Sequence, residues 1–230
     1  MAKRPESKED LILQVDALCK DYEGPHGALR ILKGIQFGIC RSEMVMILGR
    51  SGSGKSTLLH LLGGLDKPTS GMIRFQGKDL AALSDRQISE YRSKHVGFIF
   101  QLYYLLPELT LFENVLLPTR ISKRLKKDQA EHWLERVGLL HRRDHYPSQL
   151  SGGEQQRAAI ARALVNNPSV IFCDEPTGNL DEETASSIFD LLLKLNREEK
   201  KTFVIVTHEL SLVNKSRTVY ELHEGTLAKK

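Results

Sequence analysis

The segment GRSGSGKST at 49–57 combines glycines, a lysine and two hydroxyl residues in a spacing suited to phosphate. It fits the pattern G-x-x-x-x-G-K-[ST], in which the glycines let backbone N–H groups curl round phosphate oxygens. Lys55 can reach β and γ phosphates, and the Ser56 hydroxyl can ligate Mg²⁺. A glycine-rich turn that only caps a helix would not require the lysine and the hydroxyl pair together. The residues predicted to form this nucleotide site are Gly49, Arg50, Ser51, Gly52, Ser53, Gly54, Lys55, Ser56 and Thr57.

Two acidic residues follow an apolar run in VIFCDEP at 170–176. In an open α/β sheet, ligands bind at the carboxyl ends of the strands. Asp174 is therefore predicted to hold Mg²⁺, directly or through water, and Glu175 to polarise a water for attack on the γ phosphate. Alone, the pair could be an acidic turn where a strand reaches solvent. In a chain with the phosphate loop, the catalytic interpretation is favoured.

The stretch LSGGEQQR at 150–157 predicts a helix start that faces an anion. Ser151 and Glu154 have the S-x-x-E spacing of a capping box. A capping box needs no glycine, whereas Gly152 and Gly153 remove side chains beside the free N–H groups of a helix N-terminus. That position suits a phosphate. The pattern by itself leaves open whose phosphate it contacts.

Composition places the chain among ordinary globular proteins, with 230 residues of which 40% are hydrophobic and 27% charged. Its net charge of +4 neither demands nor excludes nucleic acid or an anionic membrane surface. Cys19, Cys40 and Cys173 are scattered and odd in number, which favours a reducing compartment over a disulfide framework. No window approaches about 18 consecutive apolar residues, and no secretory signal is predicted at the N-terminus. Any membrane role is therefore expected to involve a partner.

The predicted elements place these motifs on a parallel sheet. Strands are predicted at 12–20, 29–40, 44–49, 96–101, 169–174 and 202–207. Helices are predicted at 57–62, 86–94, 111–117, 127–137, 154–166 and 182–198, and hairpins around PTSG at 68–71 and at 223–225. Apolar strands that alternate with helices are typical of a parallel sheet covered on both faces. We expect one α/β domain over 1–230, with a core and antiparallel β subdomain from 11–84 and 168–230 and a mainly helical insertion at 85–167.

The order of the motifs resembles that of ABC-type ATPases over nearly the whole chain, about residues 11–228. The ordered set is the loop at 49–57, Gln101 at a strand end, LSGGEQQR, CDEPTGNLD at 173–181, and His208 after TFVIVT. The resemblance implies a P-loop NTPase domain that binds ATP with Mg²⁺ and hydrolyses it. In that family, the stretch like LSGGEQQR reaches across a head-to-tail dimer to the other subunit's γ phosphate. Ser151, Gly152 and Gly153 are thus expected to face the ATP of a second copy in a homodimer.

The resemblance also implies roles for single residues. Gln101 would contact Mg²⁺ or the attacking water and His208 the γ phosphate, so both join Glu175 as catalytic candidates. Asp181 would lie at the dimer seam, although its position could equally make it only a helix N-cap. Family members commonly stack an aromatic residue of the early hairpin on adenine, a role that falls to Tyr22; packing in the hairpin core is the alternative. The Mg²⁺ ligands implied are Ser56, Gln101 and Asp174.

Three further stretches narrow the resemblance: LLHLLGGLDKPTSG at 58–71, the segment 96–118, and ARALVNNP at 161–168. They resemble the ATP-binding subunits of the lipoprotein-releasing systems of double-membraned bacteria. MacB-type exporter ATPases and FtsE-type cell-division ATPases belong to the same subgroup and remain alternatives. The resemblance implies a peripheral protein at the cytoplasmic face of the inner membrane, with a permease partner and no nucleic acid.

The segment LYYLLPELT at 102–110 is predicted to be the docking surface for that permease. Six of its nine residues are apolar or aromatic, and Pro107 prevents a regular helix from continuing through it. Exposed apolar patches usually mark an interface, and in the family this region receives a short helix of the membrane subunit. Tyr103 and Tyr104 are the best candidates for contact, being large with polar tips. Packing inside the helical subdomain is the alternative.

Overall fold

The computed structural model describes residues 11–24, 27–121, 125–209 and 216–230. Its strands are β1 (Leu11–Gly24), β2 (Gly27–Cys40), β3 (Met44–Leu48), β4 (Ser70–Phe75), β5 (Lys78–Asp79), β6 (Val96–Phe100), β7 (Val170–Asp174), β8 (Thr202–Thr207), β9 (Thr218–His223) and β10 (Thr226–Lys229). Its α-helices are α1 (Lys55–Leu62), α2 (Asp85–His95), α3 (Leu111–Ile121), α4 (Lys127–Arg136), α5 (Gly152–Leu164) and α6 (Glu182–Glu199). The described residues form two compact units, one within 1–89 and 202–230 and the other within 90–201.

An antiparallel sheet occupies the N-terminal part of the first unit. Its strand order is β2-β1-β4-β5, so β1 pairs with β2 on one side and with β4 on the other. The β1–β2 pairing runs up to Gly24 opposite Gly27, so the two strands form a hairpin. Leu13, Val15 and Leu18 of β1 are buried, since a strand held on both edges places its apolar side chains in a core.

The first unit also contains the parallel strands that lead to the phosphate loop. Strand β3 pairs in parallel with β8 and with β9, and β10 continues antiparallel on β9. All five residues of β3 and all six of β8 are buried. Strands of a parallel sheet are covered on both faces, so their sequences are continuous apolar runs rather than alternating ones. The chain leaves the carboxyl end of β3 at Gly49 and enters α1 at Lys55.

The second unit pairs β6 with β7 in parallel, from Val96 opposite Val170 to Phe100 opposite Asp174. Helix α5 packs closely on β6 at Gly97. A Cβ atom added to Gly97 would lie 2.6 Å from the carbonyl oxygen of Ala163. Helices α3, α4 and α5 pack on one another. The α/β class, with parallel core strands and an antiparallel β sheet, is confirmed.

Two predicted elements are wrong in detail. No hairpin is formed at 68–71, because Ser70 already lies opposite Cys19 of β1, and the tight turn falls at Gln76 and Gly77 between β4 and β5. The turn residues at 68–71 introduce a strand whose partner is distant in sequence. Helix α3 also continues four residues beyond the predicted end at 117, to Ile121, with Pro118 inside it. A proline removes one helical hydrogen bond but does not always end a helix.

Candidate functional site

The loop between β3 and α1 has the geometry of an anion cradle. Gly54 is the N-cap residue of α1 with φ 100°, a left-handed conformation that favours glycine, and it has no side chain with which to cap the helix. The N–H groups of the first turn are thus presented to an anion. Lys55 is only 5% exposed, and its ammonium donates to the carbonyl oxygens of Gly49 (2.9 Å) and Arg50 (3.1 Å). The lysine charge therefore lies against the loop that the glycines shape.

Tyr22 and His208 are the other predicted ligand residues of the first unit. Tyr22 is 41% exposed on β1 opposite Leu29, and its hydroxyl donates to Asp66 over 2.8 Å. The ammonium of Lys20 lies 4.7 Å from the centre of the Tyr22 ring, a cation–π distance. The ring is thus partly exposed rather than enclosed in a hairpin core. His208 follows β8 directly and is exposed.

Asp174 and Glu175 lie at the end of β7 in the second unit. Asp174 is the last residue of the strand and half-buried. Glu175 has φ 48°, in the left-handed region that non-glycine residues rarely adopt. Its carbonyl oxygen accepts a hydrogen bond from the Gly178 N–H over 3.1 Å. The backbone therefore turns sharply at Glu175, immediately after the strand.

Gln101, which follows β6, contacts the turn after Glu175. Its Nε2 donates to Asn179 Oδ1 over 2.8 Å, and Asn179 Nδ2 donates to the Gln101 backbone oxygen over 3.2 Å. A Cβ atom added to Gly178 would lie 2.9 Å from Gln101 Nε2. The structure thus brings Gln101 onto the segment between Glu175 and Asp181. Sequence reasoning gave Asn179 no role, although it lies inside the quoted motif GNLD.

The predicted capping box at the start of α5 is confirmed. Ser151 Oγ accepts from the Glu154 N–H (3.3 Å), while the Glu154 carboxylate accepts from the Ser151 N–H (2.9 Å). The hydrogen bond from the Ser151 N–H holds the pKa of Glu154 below its usual value, against a smaller opposing effect of burial. The helix begins at Gly152, two residues earlier than the predicted start at 154.

Close approaches explain the two glycines of this segment. A Cβ atom at Gly152 would lie 2.9 Å from the hydroxyl of Tyr103, and one at Gly153 would lie 2.6 Å from Thr184 Cγ2. The glycines thus allow the start of α5 to lie against the predicted docking segment and against α6. These contacts account for both glycines without a phosphate, although the geometry is compatible with one.

Asp181 is the N-cap of α6. Its carboxylate accepts from the Thr184 N–H over 2.9 Å, and this hydrogen bond lowers the pKa of the carboxyl. The capping role that the sequence allowed is therefore present. A role at a dimer seam remains a proposal.

Two residues of α5 to which the sequence assigned no role connect this helix to candidate functional segments. The buried Gln156 donates to the carbonyl oxygens of Pro176 (2.5 Å) and Phe100 (3.4 Å), at the ends of β7 and β6. Arg162 donates to the carbonyl oxygens of both Tyr103 and Tyr104, the first over 2.6 Å, and burial lowers its pKa. Gln156 lies in LSGGEQQR and Arg162 in ARALVNNP, so both were within quoted stretches, but a sequence does not reveal such partners.

The segment 102–110 exposes several of its apolar residues. Leu102 is 59% and Tyr104 62% exposed, Leu106 is also exposed, and Tyr103 is half-buried. Tyr104 has φ 49° and packs edge-on against the ring of Phe100. The segment therefore presents an apolar surface. Arg162 fixes its backbone through hydrogen bonds to the carbonyl oxygens of Tyr103 and Tyr104.

Each unit offers hard oxygen atoms of the kind that Mg²⁺ binds beside a nucleotide. Mg²⁺ typically takes one or two protein oxygens, with phosphates and water completing its shell. Ser56, exposed on the first turn of α1, and Asp174 offer such hard oxygens, as does the amide oxygen of Gln101. Among the residues described, no group of three or more His, Cys, Asp or Glu could hold a metal. Within the same residues, no helix is long and apolar enough to cross a membrane.

Comparisons with known families and solved structures show which proteins this chain resembles. Residues 32–178 match the family described as "ABC transporter". The chain is 38% identical to a solved structure titled as a dimeric post-hydrolysis state of the ATP-binding cassette MJ0796 bound to ADP and Pi, with a TM-score of 0.86 and coverage of 95% of this chain and 97% of the other. It is also similar to cbiO1 from Clostridium perfringens, part of an ABC transporter complex, at 34% identity, a TM-score of 0.84, and coverage of 96% and 88%.

Curated relatives resemble the chain over nearly its full length. The lipoprotein-releasing system ATP-binding protein LolD of Hydrogenovibrio crunogenus is 48% identical over 219 residues, which span 94% of this chain and 95% of the relative. LolD of Legionella pneumophila strain Paris is 48% identical over 221 residues, 95% of this chain and 97% of the relative.

Proposed function

The chain belongs to the ABC transporter family, and on that premise we propose that it is the ATP-binding and ATP-hydrolysing subunit of a system that releases lipoproteins from the inner membrane towards the outer membrane. The observation that carries this function is its 48% identity to a lipoprotein-releasing ATP-binding protein across 94% of the chain. The fold and the phosphate loop supply the ATPase part of the proposal, and the relatives supply the lipoprotein part.

ATP binding is assigned first to the segment 49–57. The backbone N–H groups of the loop and of the first turn of α1 hold the phosphates, and the Lys55 ammonium neutralises their charge. Tyr22 stacks on adenine with its partly exposed ring. Mg²⁺, held by Ser56 and Asp174 with the Gln101 amide, would neutralise charge on the transferred phosphoryl group.

Hydrolysis is assigned to the residues that follow the core strands. Glu175 accepts a proton from the attacking water and orients it, because a carboxylate at a strand end can reach a bound phosphate. Gln101 contacts the metal or that water, and His208 contacts the γ phosphate. Positioning and electrostatic stabilisation dominate such phosphoryl transfer, so each group must be held rather than merely present.

A second copy of the chain completes the site. Ser151, Gly152 and Gly153 contact the ATP bound by the other copy, and Asp181 lies at the seam between copies. Support comes from the helix N-terminus at Ser151, which favours an anion, and from the dimer formed by the similar ATP-binding cassette MJ0796. The helical region 85–167 is assigned as the subdomain that presents Ser151, Gly152 and Gly153 to the other copy.

The chain works as a peripheral subunit at the cytoplasmic face of the inner membrane. A membrane permease docks on the exposed segment 102–110, with Tyr103 and Tyr104 in contact. The permease, rather than this chain, binds the lipoprotein. ATP binding and hydrolysis by the chain therefore act on cargo through the permease.

The Glu175→Gln variant tests the ATPase assignment. The amide cannot accept the proton of the attacking water, so we expect this variant to bind ATP, to hydrolyse it poorly and to accumulate as a dimer. Gel filtration with Mg-ATP measures the dimer, and the unmodified chain without nucleotide is the monomeric reference. A monomeric elution of the ATP-bound variant would contradict the shared site.

The lipoprotein assignment is tested with the chain and its permease together in membranes. We expect ATP-dependent release of a diacylated lipoprotein, abolished by Glu175→Gln. ATP hydrolysis without lipoprotein release would contradict this function. Export of another cargo would then indicate a MacB-type exporter ATPase, and activation of a cell-wall enzyme would indicate an FtsE-type cell-division ATPase.

A further inference from the structure

Two amide side chains form a reciprocal pair in the second unit. Gln101 Nε2 donates to Asn179 Oδ1 over 2.8 Å, and Asn179 Nδ2 donates to the main-chain oxygen of Gln101 over 3.2 Å. Both bonds join the same two residues, which are 78 positions apart in the sequence. Together they form a closed ring of contacts rather than a single bond.

This ring determines which way each amide points. A main-chain carbonyl oxygen only accepts, so the atom of Asn179 that faces it must be the NH₂ group. The Asn179 amide oxygen is then the atom that faces Gln101, and because it too only accepts, Gln101 must present its own NH₂ group. The amide oxygen Oε1 of Gln101 is therefore directed away from Asn179. The assignment rests on chemistry and not on a choice between two equivalent atoms.

Only one orientation of the Gln101 amide, with its oxygen towards the ion, allows it to bind a cation. An amide oxygen is a hard ligand for Mg²⁺ and accepts a hydrogen bond from water, whereas an amide NH₂ group does neither. We propose that Asn179 is a positioning residue that fixes the amide of Gln101 with its oxygen presented to the metal or the attacking water. This inference rests on the proposed function, since it requires Gln101 to act in the Mg²⁺-ATP site.

The backbone beside Asn179 restricts Gln101 further. A Cβ atom at Gly178 would lie 2.9 Å from Gln101 Nε2 and 3.2 Å from its Cδ. The Gly178 N–H in turn donates to the carbonyl oxygen of Glu175. The turn that begins at Glu175 thus carries both the surface against which the Gln101 side chain lies and the amide that orients it.

The test measures ATP affinity of the full chain by calorimetry, with Mg²⁺ and with EDTA, in the non-hydrolysing Glu175→Gln background. Asn179→Leu removes both hydrogen bonds with little change in side-chain size. We expect ATP affinity in Mg²⁺ to fall about two- to tenfold, the cost of immobilising one flexible side chain, and affinity in EDTA to stay unchanged. Gly178→Ala, which displaces the Gln101 amide, should show the same selective loss.

A double-variant comparison separates positioning from a general structural effect. Gln101→Leu alone should lower affinity in Mg²⁺, and adding Asn179→Leu should lower it no further, because Asn179 acts only through Gln101. Asn196→Leu is the matched control: Asn196 also donates its amide to a main-chain oxygen, that of Lys201, over 2.7 Å. That variant should leave the Mg²⁺ dependence unaltered.

The outcomes distinguish this inference from the proposed function. An unchanged affinity in Asn179→Leu, or losses that add fully in the double variant, would overturn the role of Asn179 while leaving the ATP site intact. Failure of the Glu175→Gln chain to bind ATP, or an affinity that Mg²⁺ does not change, would instead overturn the metal-nucleotide site and the role of Asn179 with it.

Discussion

The hydroxyl of Tyr22 donates a 2.8 Å hydrogen bond to the carboxylate of Asp66. Asp66 also accepts from the Lys20 ammonium over 2.8 Å. Burial acts to raise the pKa of the Asp66 carboxyl, but the hydrogen bonds from Lys20, Tyr22 and the Lys67 N–H together hold it below its usual value. The tip of the Tyr22 ring is thereby attached to the segment that follows α1. A ring held at its tip keeps its orientation while part of its surface stays exposed.

Loss of the Tyr22 ring should weaken the binding of ATP but not of tripolyphosphate. Base stacking on an aromatic residue is worth roughly 1–3 kcal/mol, so we expect Tyr22→Ala to lose about that much affinity for ATP. Tyr22→Phe should retain most of it, and Asp66→Ala should lie between the two because it frees the ring without removing it. Calorimetry with both ligands measures this. Equal losses for ATP and tripolyphosphate would argue against adenine stacking.

Lys55→Ala and Ser151→Arg should separate binding from closure. Removal of the lysine loses a charge-assisted contact where negative charge accumulates, so ATP binding should weaken and turnover should stop. Ser151→Arg should leave ATP binding largely intact and block closure of the dimer. A binding assay beside a turnover assay reports both.

Because Ser151 is also the N-cap of α5, its replacement is expected to cost about 1 kcal/mol of unfolding free energy. Ser151→Ala is the matched control, since it loses the cap without adding bulk. Its turnover should exceed that of Ser151→Arg at equal stability. Equal loss of ATP binding in Lys55→Ala and Ser151→Arg would show that Ser151 does not act across an interface.

Replacement of Tyr103 and Tyr104 by Ala should impair the complex and spare the isolated chain. The side chains are expected to contact the permease, whereas the backbone of the segment stays bound to Arg162. ATP binding by the isolated chain should be unchanged, and complex assembly or coupling to transport should weaken. Tyr146→Ala, which removes another exposed tyrosine of the same unit, is the control. Normal assembly and transport by the double variant would reject the docking surface.

Acid should destabilise the chain partly through Glu154. Its folded pKa lies below the ordinary value of 4.5, so its contribution to stability is present above the unfolded pKa and is lost as pH falls through the folded pKa. Glu154→Gln removes this titration. We therefore expect the loss of unfolding free energy between about pH 6 and about pH 3.5 to be smaller in the variant, as measured by urea unfolding. An identical loss in both chains would show that the capping-box carboxylate does not contribute.

The local structure around the candidate site residues could be predicted, because residue types and local spacing are sufficient to indicate a glycine loop or a helix cap. Lys55 follows a glycine loop between a strand and a helix, and Ser151 with Glu154 defines a cap within four residues. The tertiary partners could not be predicted in this way. Asn179 and Gln101 are 78 positions apart, and nothing in GNLD indicates that its asparagine faces a strand end elsewhere.

The two errors in the predicted secondary structure also arise from tertiary contacts that the local sequence does not reveal. The sequence PTSG indicates a turn, but only the pairing of Ser70 with Cys19 shows that the following strand joins β1 rather than folding back on itself. Likewise, Pro118 indicates a helix end, yet the helix continues to Ile121, where tertiary packing outweighs the local preference.

The left-handed backbone of Glu175 has a consequence for the engineering of this protein. At φ 48°, a glycine would adopt the conformation without the steric cost of about 1–2 kcal/mol that an L-residue bears. Glu175→Gly should therefore be more thermostable than Glu175→Gln, although both lack the carboxylate. Since the proposed hydrolysis requires that carboxylate, we expect heat-resistant variants selected at this position to be inactive, so selection for thermal tolerance must retain an activity step.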